Sequence, residues 1–185
     1  GICIGVATLI IVMSVMNGFR YELENRIIGF NGHIYIQKIE EYFRYDFQEL
    51  EELEEIKFID PNITIQSLIT TDYSTKGILV KSIIPQNIKY YSFIDETFIS
   101  DNEFNDSGII LGASLVESIG AEIGSSIKLF SSNTISSPFG QLPKSMSLKV
   151  KGVFNSGMSE YDSSFAFISL NNAQKIVGLD DKISI

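Results

Sequence analysis

The sequence predicts an α+β fold led by a membrane-crossing helix. Residues 1–19, GICIGVATLIIVMSVMNGF, carry no Asp, Glu, Lys or Arg. From residue 33 onward, segments with the two-residue alternation of half-buried strands are interrupted by segments with the three- and four-residue spacing of amphipathic helices. Clusters of Gly, Pro, Asn and Asp separate them, as turn chemistry requires.

The uncharged run would rise roughly 28 Å as a helix, close to the thickness of a hydrocarbon core. Gly1, Gly5, Ala7 and Ser14 leave room for a neighbouring helix. No basic region precedes the run and no small-x-small site follows it, so a cleaved secretory signal fits poorly. Residues 19–28 continue the helix, with Phe19, Leu23 and Ile27 four apart and Glu22 and Arg26 four apart on another face. The expected segments are a transmembrane helix over 1–19 and a stalk helix over 20–29, stopped by Gly29, Asn31 and Gly32. HIYIQK, from His33, then alternates like a strand.

Residues 46–57, DFQELEELEEIK, place Phe47, Leu50, Leu53 and Ile56 three apart against an acidic face, the pattern of a helix laid on a sheet. ITIQSLIT (63–70) and KGILVKSIIP (76–85) read as two strands around the turn TDYST. A new unit begins at Gly108, with a short apolar strand, a helix over 113–119 and the strand SIKLF. Residues 131–147, SSNTISSPFGQLPKSMS, separate SIKLF from SLKVKGVF and read as a long hairpin tip on which Pro138 and Phe139 form a stiff apolar knob. NSGMSEYDSS then turns the chain into the strand FAFISL and a helix over SLNNAQKIVGL. Asn171 or Asn172 would cap that helix and Gly178 would close it.

Composition narrows the function. The 185 residues are 44% hydrophobic, enough for a sizeable core, and 14 basic against 23 acidic residues give a net charge of −9. Nucleic acid is excluded as a partner, because phosphates demand clustered Lys and Arg. One cysteine, Cys3, and one histidine, His33, cannot form a disulfide or fill a zinc tetrahedron. His33 reads as a landmark beside a turn, because no nucleophile motif or second histidine accompanies it. Gly112, Gly120 and Gly124 match neither glycine-rich nucleotide pattern. Glu160 and Asp162 could pass for a catalytic pair but, lying in a turn, read as backbone-capping acids. The chain begins with Gly and is expected to be a piece of a longer protein.

Three stretches together resemble one family. GVATLIIVMSVMNGFRYELENRIIGFNGHI resembles the first transmembrane helix and its exit in the lipoprotein-releasing permeases, within the MacB/FtsX-like permease group of ABC transporters. GVFNSGMSEYDSSFAFISLNNAQKIVGL resembles the end of that family's periplasmic domain, and GIILGASLVESIGAEIGSSIKLF fits its middle. The resemblance implies a bacterial inner-membrane permease subunit with the residues after about 20 in the periplasm, no catalytic residue and no cofactor in this chain. It implies a two-lobed, MacB-like periplasmic domain: a discontinuous α+β lobe over 30–105 and 150–180, and an inserted β-rich lobe over 106–149 carrying the hairpin loop 131–147.

The implied partners are a cytoplasmic ABC ATPase, a second permease subunit as homo- or heterodimer, a periplasmic lipoprotein carrier and the lipoprotein itself. In the subset that recruits the carrier, a Pro-bearing hairpin hooks it and basic side chains pad it. The matching residues are Pro138, Phe139 and Gly140, with Lys128 and Lys144 as the pad. No Arg follows Arg44, so a pad of lysines would offer point charges without the bidentate guanidinium fork. A MacB-like efflux permease or an FtsX-like signalling permease is the alternative reading.

Overall fold

The computed structural model describes residues 1–36, 47, 50, 53–91, 93–94, 104–137, 140–179 and 182–183. It divides into two compact units, 1–34 and 35–185.

The first unit is a single helix, α1 (Ile2–Asn31). The expected transmembrane and stalk segments are one unbroken helix, because nothing between Phe19 and Ile28 interrupts the i→i−4 ladder. Glu22 pairs with Arg26 at 2.9 Å, and Arg20 pairs with Glu24 at 2.7 Å. Gly29 lies inside the helix, and termination falls to Gly32, whose φ of 81° and N–H bonded to the Ile28 carbonyl close the last turn. By length and composition α1 can cross a membrane. Ile2, Leu9, Ile11, Val15 and Phe19 are all exposed along it, which a water-soluble helix would avoid.

The second unit is a mixed α/β domain built on a closed six-stranded barrel. Its strands are β1 (Thr64–Thr70), β2 (Thr75–Ile83), β3 (Gly108–Gly112), β4 (Ser126–Ser137), β5 (Gly140–Phe154) and β6 (Phe165–Ser169). Around the barrel the order is β1, β2, β6, β3, β5, β4. Two pairs, β2 with β6 and β3 with β5, are parallel and the rest antiparallel. A 3-10 helix (Pro85–Tyr90) follows β2, opened by Pro85, whose fixed φ and missing N–H suit the first turn. Further described helices are α2 (Ala113–Ile119), α3 (Ser159–Ser164) and α4 (Leu170–Val177).

Alternation decides which side chains fill the barrel. Ile65, Ile69, Ile78, Val80, Ile109, Leu111, Ile127, Leu129, Leu148, Val150, Ala166 and Ile168 form one buried cluster, joined by Leu115 and Ile119 of α2 and by Ala173 and Ile176 of α4. The residues between them face away. Phe167 of β6 stacks edge-on with Phe154 and lies near Phe93 and Tyr91, a second, aromatic layer outside the barrel.

Several expectations change. Residues 33–36 form no strand, because none of the described strands pairs with them. Residues 46, 48, 49, 51 and 52 of the segment 46–57 lie outside the described residues, and Leu50 between them is α-helical, its N–H bonded to the Phe47 carbonyl. The turn after Asn155 contains the short helix α3. The N-cap of α4 is Ser169, whose hydroxyl accepts the Asn172 N–H at 3.2 Å, so Asn171 and Asn172 are displaced into the helix. Helices 113–119 and 170–177 otherwise stand where the spacing puts them, with Gly178 closing α4 at φ 84°.

One barrel takes strands from both of the ranges expected for the two lobes. β3 and β4 fall within 106–149, β5 crosses residue 149, and all three are walls of the same barrel as β1, β2 and β6. Parallel pairing of β3 with β5 and antiparallel pairing of β4 with β1 tie these segments to strands far away in sequence.

Candidate functional site: the β4–β5 arm and its root

Among the described strands β4 and β5 are the longest, at 12 and 15 residues, and they pair with each other from Ser126↔Lys149 to Ser137↔Gly140. The segment expected to be a long hairpin tip over 131–147 is therefore mostly paired strand. Ser, Thr and Ile in SSNTISS tolerate the extended backbone well, and only residues 138 and 139 separate the two strands. Gly140 has φ 115°, a conformation that side-chain-bearing residues rarely adopt.

Pro138 and Phe139 lie outside the described residues. Lys128 and Lys144 are described, and neither stands at the tip. Lys128 is an exposed residue opposite Thr70 of β1 and Ser147 of β5, with its Nζ 6.0 Å from the centre of the Phe130 ring. It sits nine residues from Ser137 along the strand, roughly 30 Å at the usual rise. Lys144 is four residues from Gly140, roughly 13 Å, and its Nζ rests over Gly178 at the C-terminal end of α4. A cation at that end of a helix meets the negative pole of the peptide dipoles. Lys128, Gly140 and Lys144 thus lie on the same pair of strands.

At the root of the arm lies a groove of roughly 800 Å³, lined by Gln66, Leu68, Leu79, Phe130, Ser132 and Pro143 among others. Leu68 is opposite Gly77 on one side and Phe130 on the other, forming a cross-strand row on the outer face. A Cβ at Gly77 would meet nothing within 4 Å, so the glycine leaves the row open. Among the described residues, no Asp, Glu, Lys or Arg lines the groove. Alternation alone marks Leu68 as an outward apolar residue. The groove itself required knowing that β1 pairs with β4.

Two acids of the domain, Asp162 and Asp106, make structural contacts. Asp162 is buried and accepts the Ser156 N–H at 2.8 Å and the Ser156 hydroxyl at 2.7 Å, the backbone-capping role expected for it. Glu160 is exposed on the first turn of α3. Asp106 accepts the Ser169 hydroxyl at 2.6 Å and an Asn171 amide N–H, while Asn172 donates to the Asp106 carbonyl. The Ser169 bond holds the Asp106 carboxyl below its ordinary range.

Asp60 and Lys81 form a buried polar knot beside the aromatic layer. Asp60 accepts from the Tyr91 hydroxyl, from Asn87 Nδ2 at 3.2 Å and from the Ile84 N–H at 3.3 Å. Burial pushes the Asp60 carboxyl up against these bonds, and burial pushes the Lys81 ammonium down against the attraction of Asp60. Burial, reinforced by Asp60, also raises the Tyr91 phenol. His33 is exposed at a bend. Among the described residues no group of His, Cys, Asp and Glu is arranged to hold a metal ion.

Residues 1–184 match the MacB-like periplasmic core domain. The chain belongs to this family. Among curated relatives, the lipoprotein-releasing system transmembrane protein LolC of Neisseria meningitidis serogroup B is 27% identical over 191 residues, covering 100% of this chain and 46% of that protein. LolC of Xylella fastidiosa (strain Temecula1) is 26% identical over 97% of this chain and 45% of its own length, and LolE of Haemophilus influenzae is 26% identical over 94% and 44%. The chain thus spans less than half the length of these relatives. The extracellular domain of the noncanonic ABC-type transporter YknZ, from Gram-positive bacteria, superposes with a TM-score of 0.52 over 82% of this chain and 78% of that one, at 16% identity. That likeness is one of fold.

Proposed function

We propose that the chain is the first transmembrane helix and periplasmic domain of an ABC transporter permease subunit that releases lipoproteins from the inner membrane to a periplasmic carrier. The observation carrying this reading is the similarity to LolC and LolE, which runs through the apolar helix and the whole domain behind it. In this scheme a separate cytoplasmic ATPase supplies the energy and a second permease subunit completes the pathway. α1 serves as a stiff lever, its aqueous end braced by two i,i+4 ion pairs. The chain itself makes and breaks no bonds. Pro138, Phe139 and Gly140 are the hook for the carrier, with Lys144 and Lys128 contributing positive charge along the arm.

The paired strands support the hook, because a two-stranded ribbon presents its turn more rigidly than an open loop of 17 residues would. A photo-crosslinking residue at Phe139 in the full-length permease tests it. An adduct with the lipoprotein carrier is the expected product. Its absence, together with an adduct from the equivalent position of the partner permease, would move the hook to that subunit.

The second reading is a MacB-like efflux permease or an FtsX-like signalling permease acting on another periplasmic partner. The shared MacB-like domain and the YknZ fold favour the broader group equally. A Phe139 adduct with a periplasmic adaptor or a cell-wall hydrolase would select it.

A further inference from the structure

We propose that the β4–β5 arm is a hinged lever, with its hinge at Ser131–Asn133 and its latch at Lys144, a positioning residue that docks on the C-terminal end of α4 and sets the angle at which the arm leaves the barrel. The device rests on the reading of the arm as the carrier hook for its purpose, though not for its geometry.

The hinge is an irregularity in the β4–β5 ladder. Phe130 pairs with Ser145 and Thr134 with Pro143, so Ser131, Ser132 and Asn133 of β4 stand opposite Lys144 alone. The Ser131 hydroxyl accepts the Asn133 N–H at 3.1 Å, a local bond across the surplus residues. Bulges break the ladder and bend the strand that carries them. Pro143, on the facing strand, has no N–H to give to the ladder. The described β1–β4 pairs also end here, at Ser67↔Ser131. The arm therefore leaves the barrel wall where its own ladder is interrupted.

The latch follows from strand phase. On β5, Val150 and Leu148 are buried in the barrel cluster and Met146 packs against it. Two residues on, Lys144 falls on the same face of the strand. α4 packs on that cluster through Ala173, Ile176 and Val177. Lys144 meets the end of this helix: its Nζ fills the space a Cβ at Gly178 would take, and its Cε lies 3.7 Å from that point. Gly178 thus serves twice, by its φ of 84° and by the room it leaves the ammonium. The Gly178 and Leu179 N–H groups both bond to the Gln174 carbonyl, at 2.8 and 2.9 Å, and the carbonyls after it form the negative pole of the helix. No described carboxylate forms an ion pair with Lys144, so the helix end is what its charge meets. A single charge at a helix end is a weak tie that salt screens. It holds the arm without locking it. Unwinding of the last turn of α4 would disperse the pole and release the arm, and a released arm adds an ordering cost to any binding at its tip.

The test uses the full-length permease in lipid nanodiscs, on a cysteine-free background, with nitroxide labels at Leu142→Cys on the arm and Gln86→Cys on the 3-10 helix that follows β2. β5 and β2 stand opposite each other around the barrel, so a change in the arm's tilt changes the distance between the labels. Pulsed electron double resonance at low ionic strength is expected to give one narrow distance distribution. Lys144→Met, which keeps the length of the side chain and removes its charge, should broaden that distribution about twofold. About 1 M salt should broaden it in the otherwise unsubstituted protein and leave Lys144→Met unchanged. Deleting Ser132 and Asn133 from Lys144→Met makes the register one-to-one and should restore the narrow distribution. A narrow distribution in Lys144→Met, no response to salt, or a broad distribution after the deletion would overturn the proposal. These readouts concern the arm's position, so a failed latch leaves a Phe139 adduct with the carrier standing, and a missing adduct leaves the latch standing.

Discussion

Gly112, the last residue of β3, lies directly against the backbone of Asp162 in α3. A Cβ on Gly112 would fall 2.6 Å from the Asp162 carbonyl carbon and 2.7 Å from its Cα. These are main-chain atoms, with no rotamer to turn aside, and Asp162 is fixed by its bonds to Ser156. Gly112→Ala is therefore expected to destabilise the domain by about 1–3 kcal/mol, the range for overpacking in a tight interior. Gly77→Ala, with open space above it, should change stability by less than about 0.5 kcal/mol. Denaturant unfolding of the two variants checks the contrast.

Asp60 gives a pH signature of defined sign. Its folded-state value is raised by burial, so its contribution to stability is fully present below the unfolded value of about 3.9. That contribution is lost as pH rises through the raised folded value. Asp60→Asn keeps an oxygen acceptor for the Ile84 N–H and offers an amide N–H that the Tyr91 hydroxyl oxygen can accept, but cannot ionise. The unfolding midpoint of the native chain, relative to that of Asp60→Asn, should fall as pH rises above about 4 and then level off.

Asp106 acts in the opposite sense. Its carboxyl is lowered, first by the Ser169 hydroxyl, so its contribution is present above the unfolded value and disappears as pH falls below about 4. Asp106→Ala removes the acceptor that orients the N-cap hydroxyl of α4, and should cost about 1–2 kcal/mol at neutral pH. Hydrogen exchange at α4 amides should accelerate first, before exchange within the barrel strands.

α1 makes a topological prediction. In intact membranes Cys3, inside the uncharged run, should resist a membrane-impermeant maleimide. A cysteine introduced as His33→Cys, beyond the charged turns, should react. Equal labelling of both positions would contradict a membrane-crossing helix.

Local pattern carried much of this fold. β1, β2 and β6 announce themselves by alternation, α2 by Leu115, Val116 and Ile119 ahead of Gly120, and α4 by its closing Gly178. The barrel was not legible, because closure depends on pairs such as Leu79↔Phe165 and Ile109↔Val150 that no local window contains. HIYI carries a strand pattern without a strand, since alternation shows aptitude for a sheet and not the presence of a partner. Ser169 was passed over as a cap because it also ends the strand FAFIS, and a residue serving two elements gives no separate signal. At the arm, the Pro and Gly of SSPFGQLP marked a turn correctly but hid how far the strands run into it. The groove at Leu68 has no sequence signature, since it depends on β1 pairing with β4.

The most direct test of the functional account is depletion of the full-length permease in its native cell, followed by separation of inner and outer membranes. The account predicts that lipoproteins destined for the outer membrane accumulate in the inner membrane, and that isolated spheroplasts no longer pass them to added carrier. Normal lipoprotein sorting after depletion would contradict it.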